Sequence, residues 1–265
     1  MTIDTIDVVD LFDDDAPIGR LLSRREAPAV FGSSAGAALL AACVPSVLSS
    51  PGAATASPSG SAAAILPSCI VRPALTDGPY FVDEKLNRSD IRSDPATGAV
   101  RPGVLLGLSF AVSRVSGSAC TPLAGALVDI WHCDALGVYS DVNDPHGSTL
   151  GQKFLRGYQV TDANGSAAFT TVYPGWYSGR TVHIHFKIRT DPTAASGTEF
   201  TSQLFFEDAL TDVVHRRDPY ASKGLRDTRN AADGIFGGSG GQLTLAPTQQ
   251  GDGYAATFEI GVTAA

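Results

Sequence analysis

The chain has 265 residues, 43% of them hydrophobic, a formal net charge of -8 and a pI near 5.0. That length allows one sizeable domain with appendages, and that composition allows a real core. The acidic balance argues against a nucleic-acid binder, which needs a basic stripe to neutralise phosphates, and against electrostatic docking on anionic lipid.

Seven acids and three arginines fall in residues 1–42, so half of the net charge sits in the first part of the chain. Ser23-Arg24-Arg25-Glu26 is a twin-arginine pattern. The weakly apolar residues 27–42 after it are too few and too rich in Gly and Ser for a good transmembrane helix. Leu40-Ala41-Ala42-Cys43 has the form of a lipobox, which makes Cys43 a candidate lipid anchor; the alternative is an ordinary signal peptide cut after a small residue. Residues 1–43 are therefore expected to be an export leader of twin-arginine type, and the protein to be extracellular or a membrane-anchored lipoprotein. Residues 44–68 are nearly all Ala, Ser, Pro, Gly, Val and Leu, which predicts a flexible tether.

From Cys69 the texture changes to short alternating segments broken by turns. Strands are expected at residues 105–112, 126–131, 181–189, 201–206, 242–245 and 254–262. Residues 157–160 and 168–172 flank an Asp162-Ala163-Asn164-Gly165 turn and predict a hairpin. No amphipathic helical pattern of 10 to 15 residues stands out. The expectation for residues 69–265 is an all-β fold, a β-sandwich core with long loops, behind a disordered leader and linker. Cys69 and Cys120 each precede a strand-like stretch in a chain expected to be exported, so a disulfide between them is expected. Cys133 is then a lone buried thiol.

His183-Ile184-His185-Phe186-Lys187-Ile188 carries the chemistry. Alternate side chains of a strand share a face, so Val182, Ile184, Phe186 and Ile188 form an apolar side and both imidazoles lie together on the other. A His-x-His pair alone also suits zinc or copper sites. No third His or Cys stands close by for zinc, and no nearby carboxylate completes a two-His-one-carboxylate iron triad. Pro174-Gly175 makes a turn that would fold Tyr177 and Arg180 back over the strand. A phenolate from Tyr177 is a hard anionic ligand that favours ferric iron.

The stretch YPGWYSGRTVHIHF, residues 173–186, resembles the metal-binding segment of the intradiol ring-cleavage dioxygenases, the family of catechol 1,2-dioxygenase and protocatechuate 3,4-dioxygenase. Residues 123–140, LAGALVDIWHCDALGVYS, resemble its first tyrosine-ligand segment. Thr76 to Phe81, Arg88 to Arg92, Thr201 to Phe206 and Gly251 to Tyr254 match in order, so the likeness spans roughly residues 69–262. Two features depart from the intracellular enzymes: Tyr177 lies only six residues before His183, and there is no N-terminal helical dimerisation segment. A homodimer stays open for that reason.

The resemblance implies a ferric centre, Fe(3+), held by Tyr139, Tyr177, His183 and His185. It implies a catecholic substrate with O2, and a muconate-type product. Tyr177 would be displaced by substrate and take one of its protons as a general base. Arg180 would stabilise charge on the substrate ring, and Gln203 would stand beside it. Tyr80 would line the pocket. His132 is expected to point away from the metal, His146 and His215 to be solvated loop residues, and Trp131 and Trp176 to be packing. A binding module that merely keeps the sandwich, and a zinc or copper enzyme on a similar frame, are the competing readings.

Overall fold

A computed structural model describes residues 69–144, 147–190 and 198–263. The expected leader, the tether, Cys43 and His146 lie outside them. The strands are β1 (Leu105–Ser116), β2 (Ala119–Pro122), β3 (Leu127–Trp131), β4 (Asn143–Asp144), β5 (Gly147–Ser148), β6 (Arg156–Val160), β7 (Ser166–Val172), β8 (His183–Arg189) and β9 (Glu199–Phe205). Two short helices follow, α1 (Asp208–Val214) and α2 (Gly234–Ser239), and then β10 (Thr248–Gln250) and β11 (Gly253–Thr263).

Two sheets face each other, as expected of a sandwich. One runs β10-β11-β1-β2, with β7 also on β1. The long β1 pairs in parallel with β11 along one side; on its other side it takes β7 first and β2 last. The second sheet, β6-β3-β8-β9, is antiparallel throughout. Leu106, Leu108, Phe110 and Val112 point inward from β1, and Ile184, Phe186 and Ile188 from β8, which is the two-residue alternation of a strand. Phe110, Phe186 and Phe258 meet between the sheets with ring centroids 5.3 to 6.0 Å apart. Each such ring contributes about 1.5–3 kcal/mol by leaving water.

Three expectations need correction. The Asp162–Gly165 turn forms, with Asp162 Oδ1 accepting from the backbone of Asn164 and Ser166. The strands around it do not make a hairpin: β6 joins β3 and β7 joins β1, so the chain changes sheet here. Residues 242–245 are not a strand. They make two backbone bonds to Phe205 and one bridge at Thr244, and Pro247, which has no N–H to donate, follows closely. His215 is not a solvated loop residue. It closes α1, donates from Nε2 to the Pro174 carbonyl at 3.0 Å, and stacks on Tyr220, its centroid 5.1 Å away.

The Cys69–Cys120 disulfide is present, and Cys133 is free and buried. The segment after Cys69 bonds to β9 through Leu75 N and Thr201 O at 3.0 Å. It thereby delivers Tyr80 and Phe81 to the outer face of the second sheet, where Trp131, Cys133, Tyr139 and Tyr177 cluster apart from the main core.

Candidate metal centre

Strand register builds the floor of the site. Across three neighbouring strands Trp131, His185 and Gln203 stand opposite one another. Trp131 stacks on His185 with centroids 5.0 Å apart and planes 8° from parallel. His183 and His185 share the face away from the core and are 2% and 0% exposed. Their Nε2 atoms are 3.0 Å apart. Tyr177 Oη lies 3.2 Å and Tyr139 Oη 3.5 Å from His183 Nε2.

The protonation follows from the surroundings. Burial, then the nearby Arg180 charge, pushes His183 down to about 3, and burial with the His183 and Arg180 charges holds His185 well below its ordinary value. Both rings are thus neutral. His183 Nδ1 donates to the Thr181 carbonyl at 2.7 Å, which leaves its Nε2 as a bare lone pair. Two imidazole nitrogens and two phenol oxygens therefore converge within a few ångströms in a buried setting, an arrangement that a cation relieves. Among the described residues no cluster of three or more His, Cys, Asp or Glu side chains gathers, so the donor set is mixed nitrogen and phenol oxygen and not of the zinc type. It fits ferric iron.

Tyr139 arrives through a turn. Asp134 Oδ1 accepts from Leu136 N and Val138 N at 2.9 and 3.0 Å, and Gly137 takes φ +80°. Gly175 N donates to the Asp134 carbonyl at 3.0 Å, which docks this turn on the loop that carries Tyr177. Tyr139 then stacks on Tyr80 (4.5 Å, 25°) and meets Tyr177 edge-on at 5.8 Å. Arg156, buried, braces both neighbours: it donates to the Ser140 carbonyl at 2.6 Å and the Tyr80 carbonyl at 2.6 Å. The sequence reading missed Arg156, which no local pattern marks.

A family model described as Dioxygenase matches residues 76–224, more than half of the chain. The chain belongs to the intradiol ring-cleavage dioxygenases. It is 33% identical over 167 residues to the protocatechuate 3,4-dioxygenase beta chain of Burkholderia cepacia, covering 58% of this chain and 69% of that one. It is 30% identical over 154 residues to a chlorocatechol 1,2-dioxygenase of Pseudomonas sp. (strain P51), covering 51% and 55%; the chain thus spans little more than half the length of that relative. Among solved structures, an intradiol ring-cleavage dioxygenase from Tetranychus urticae superposes with a TM-score of 0.63 at 30% identity, over 74% of this chain and 95% of that one. Membership in this dioxygenase family makes the chain an oxidoreductase and decides against the binding-module reading.

The remaining expected residues of the dioxygenase sit close to the four donors. Arg180 is buried; its Nη2 donates to Gln203 Oε1 at 2.6 Å and its Nε to Asp233 Oδ2 at 3.0 Å. Gln203 Nε2 in turn donates to the Thr76 carbonyl at 3.0 Å. His132 does point away: Nδ1 faces the Cys133 carbonyl at 2.8 Å and Nε2 the Thr171 hydroxyl at 2.7 Å. Burial pushes the Cys133 thiol up to about 12, so it is no nucleophile. Trp176 is a packing residue, with Lys223 Nζ 4.8 Å from its ring. Beside the donors opens a cleft of about 500 Å³, lined by Tyr139, Val142, Trp176, Tyr177, Lys223 and Asp227 among others. Asp233 was not foreseen from the sequence.

Proposed function

We propose that the chain is a ferric dioxygenase that opens catechol-type rings between their two hydroxyls, giving muconate-type products, with Tyr139, Tyr177, His183 and His185 as the iron ligands. The observation that carries this reading is the convergence of two phenol oxygens on His183 Nε2, which lies 3.0 Å from His185 Nε2. Ferric iron, when bound, would supply the Lewis acidity that draws electron density from a catecholate and readies the ring for O2.

The side chains divide the remaining work. Tyr177, on a loop and only half-buried, is the donor best able to leave the centre and accept a catechol proton at Oη. Tyr139, buried and stacked on Tyr80, stays. Arg180, whose Nη2 is anchored on Gln203 Oε1, presents a fixed guanidinium beside the histidines, placed to stabilise charge that develops on the ring. Trp131, Phe81 and Tyr80 close the far side against water. A cleft of this size takes ligands well beyond a single ring, which favours bulky substituted catechols such as plant or lignin-derived phenolics.

We also propose, from Arg24-Arg25 and Cys43, that residues 1–43 are an export leader, 44–68 a tether and 69–265 the catalytic domain, acting outside the cytoplasm or from a lipid anchor. The purified protein should be burgundy to red from tyrosinate-to-iron charge transfer, contain iron, and take up oxygen with a panel of substituted catechols. A folded, colourless protein that neither binds iron nor consumes oxygen would end this reading. Fractionation of cells producing the full chain tests export.

A further inference from the structure

Asp233 lies beyond the segment 76–224 matched by the family model, and it bonds to Arg180 and Thr181 beside the site. It is the N-cap of α2, where its Oδ1 accepts from Phe236 N at 2.9 Å. Its Oδ2 accepts twice more, from Arg180 Nε at 3.0 Å and from Thr181 N at 2.8 Å. The side chains of Asp233 and Arg180 are 0% and 2% exposed.

Thr181 is the hinge of the arrangement. Its N–H goes to Asp233, its hydroxyl donates to Asn230 Oδ1 at 2.6 Å, and its carbonyl accepts the His183 Nδ1 proton at 2.7 Å. Asn230 is itself tied to the Phe206 carbonyl through Nδ2 at 2.8 Å. The other arm runs through Arg180 to Gln203, which stands opposite His185 in the sheet. One carboxylate thus reaches both histidines, each through one or two intervening groups.

A cap alone does not call for this residue. Ser, Thr or Asn would cap α2 about as well. Only a carboxylate has acceptor capacity for three donors while also balancing the Arg180 charge in a dry setting.

We propose that Asp233 is a positioning residue for the reaction: through Thr181 it holds His183 with Nε2 bare and turned to the centre, and through Arg180 it holds the guanidinium beside both histidines. This rests on the ferric reading above for its bearing on catalysis, but its effect on His183 exists without metal. Outer groups of this kind are commonly worth about 10–100-fold in metal affinity or activity.

The test uses the full chain carrying Asp233→Asn, Asp233→Glu or Asp233→Ala. In the metal-free protein, imidazole 15N shifts should show His183 as the single Nδ1–H tautomer in the wild type and as a mixture in Asp233→Ala. In the iron-loaded protein, kcat per bound iron should fall about 10–100-fold in Asp233→Ala and Asp233→Asn, with KM little changed and the visible band shifted. Asp233→Glu should recover part of both. Where Asp233→Ala does not fold, Asp233→Asn, which keeps an acceptor for the cap, carries the comparison. Variants with the wild-type tautomer, band and kcat per iron, and only a lower melting temperature, would reduce Asp233 to a helix cap and overturn the proposal. A protein that binds no iron while its His183 tautomer still depends on Asp233 would sink the ferric reading and leave the positioning role supported.

Discussion

An atom placed at the missing Cβ of Gly137 would lie 2.2 Å from the carbonyl oxygen of Trp176, so these two backbones touch with no room for a side chain. The contact joins the turn before Tyr139 to the loop before Tyr177. It sets the distance between two residues that are 38 positions apart in the chain and meet ring to ring at 5.8 Å.

Gly137→Ala should therefore damage the centre and not only the fold. The added methyl meets backbone, which cannot swing aside, and φ is +80°, where L residues are strained by about 1–2 kcal/mol. Overpacking adds about 1–3 kcal/mol. Urea unfolding should show that loss, and the charge-transfer band should weaken as Tyr139 is pushed from Tyr177. Gly179→Ala is the control. Gly179 has φ +88° but nothing within 4 Å of the added atom, so only the backbone strain should appear. Equal stability losses in the two variants would show that the Gly137–Trp176 contact sets nothing.

The two tyrosines should separate by assay. Tyr177→Phe removes the proposed proton acceptor, and kcat should drop by on the order of 100-fold or more. Tyr139→Phe removes the donor that stays, so the visible band should bleach or shift even without substrate. An unchanged resting spectrum in Tyr139→Phe would take Tyr139 out of the site. An unchanged kcat in Tyr177→Phe would leave proton transfer to another group.

The histidine pair was readable in the sequence because strand alternation is local: Ile184 and Phe186 point into the core, and His183 and His185 must then share the other face. Tyr177 followed from a turn close by. Tyr139 did not, because its approach depends on a backbone contact between Gly137 and Trp176 that no spacing encodes; only the family likeness brought it in. The Asp162–Gly165 turn shows the same limit. Its chemistry was read correctly from Asp162 and Gly165, but the partners of the flanking strands are Leu127 to Trp131 on one side and Leu105 to Ala111 on the other, and these are chosen by distant apolar packing. Arg156 and Asp233 were invisible for a like reason. Each acts through carbonyls, amides or a guanidinium supplied by remote segments.

The disulfide should matter for stability and not for turnover. Cys69 and Cys120 are 51 residues apart, and the bond pins residue 69 against β2 while Ile70 accepts from Gly261 N at 2.7 Å. In the chain-entropy view a closed loop of that size is worth about 4 kcal/mol. Replacing both cysteines by serine should lower the urea midpoint accordingly, and a reductant should then have no further effect. kcat per bound iron should stay the same, since neither sulfur belongs to the aromatic cluster around the proposed ligands Tyr139 and Tyr177. A fall in kcat per iron would mean that the segment carrying Tyr80 depends on this link.

Acid should weaken the fold through His132. Burial, with the Arg156 charge adding to it, pushes this imidazole down to about 4, while in the unfolded chain it titrates near its ordinary value of 6.5. Between those two values the unfolded state binds the proton and the folded state does not, so stability rises with pH across the window. The contribution is whole above about 6.5 and is lost as pH falls toward 4, by on the order of 3 kcal/mol. Burial and the Arg156 charge hold the folded ring neutral against the Cys133 carbonyl, which favours the charged form: Nδ1–H donates to that carbonyl and Nε2 accepts from the Thr171 hydroxyl. Protonation would set two donors against each other at Nε2 unless the Thr171 hydroxyl turned round. Urea midpoints measured at intervals from pH 7.5 to pH 4 should fall more steeply in the wild type than in His132→Gln, whose side chain stays neutral throughout. The remaining slope of the variant belongs to the other shifted groups, among them His183, His185 and Asp129, so the difference between the two curves isolates His132. Parallel curves would show that His132 does not take part in the acid transition.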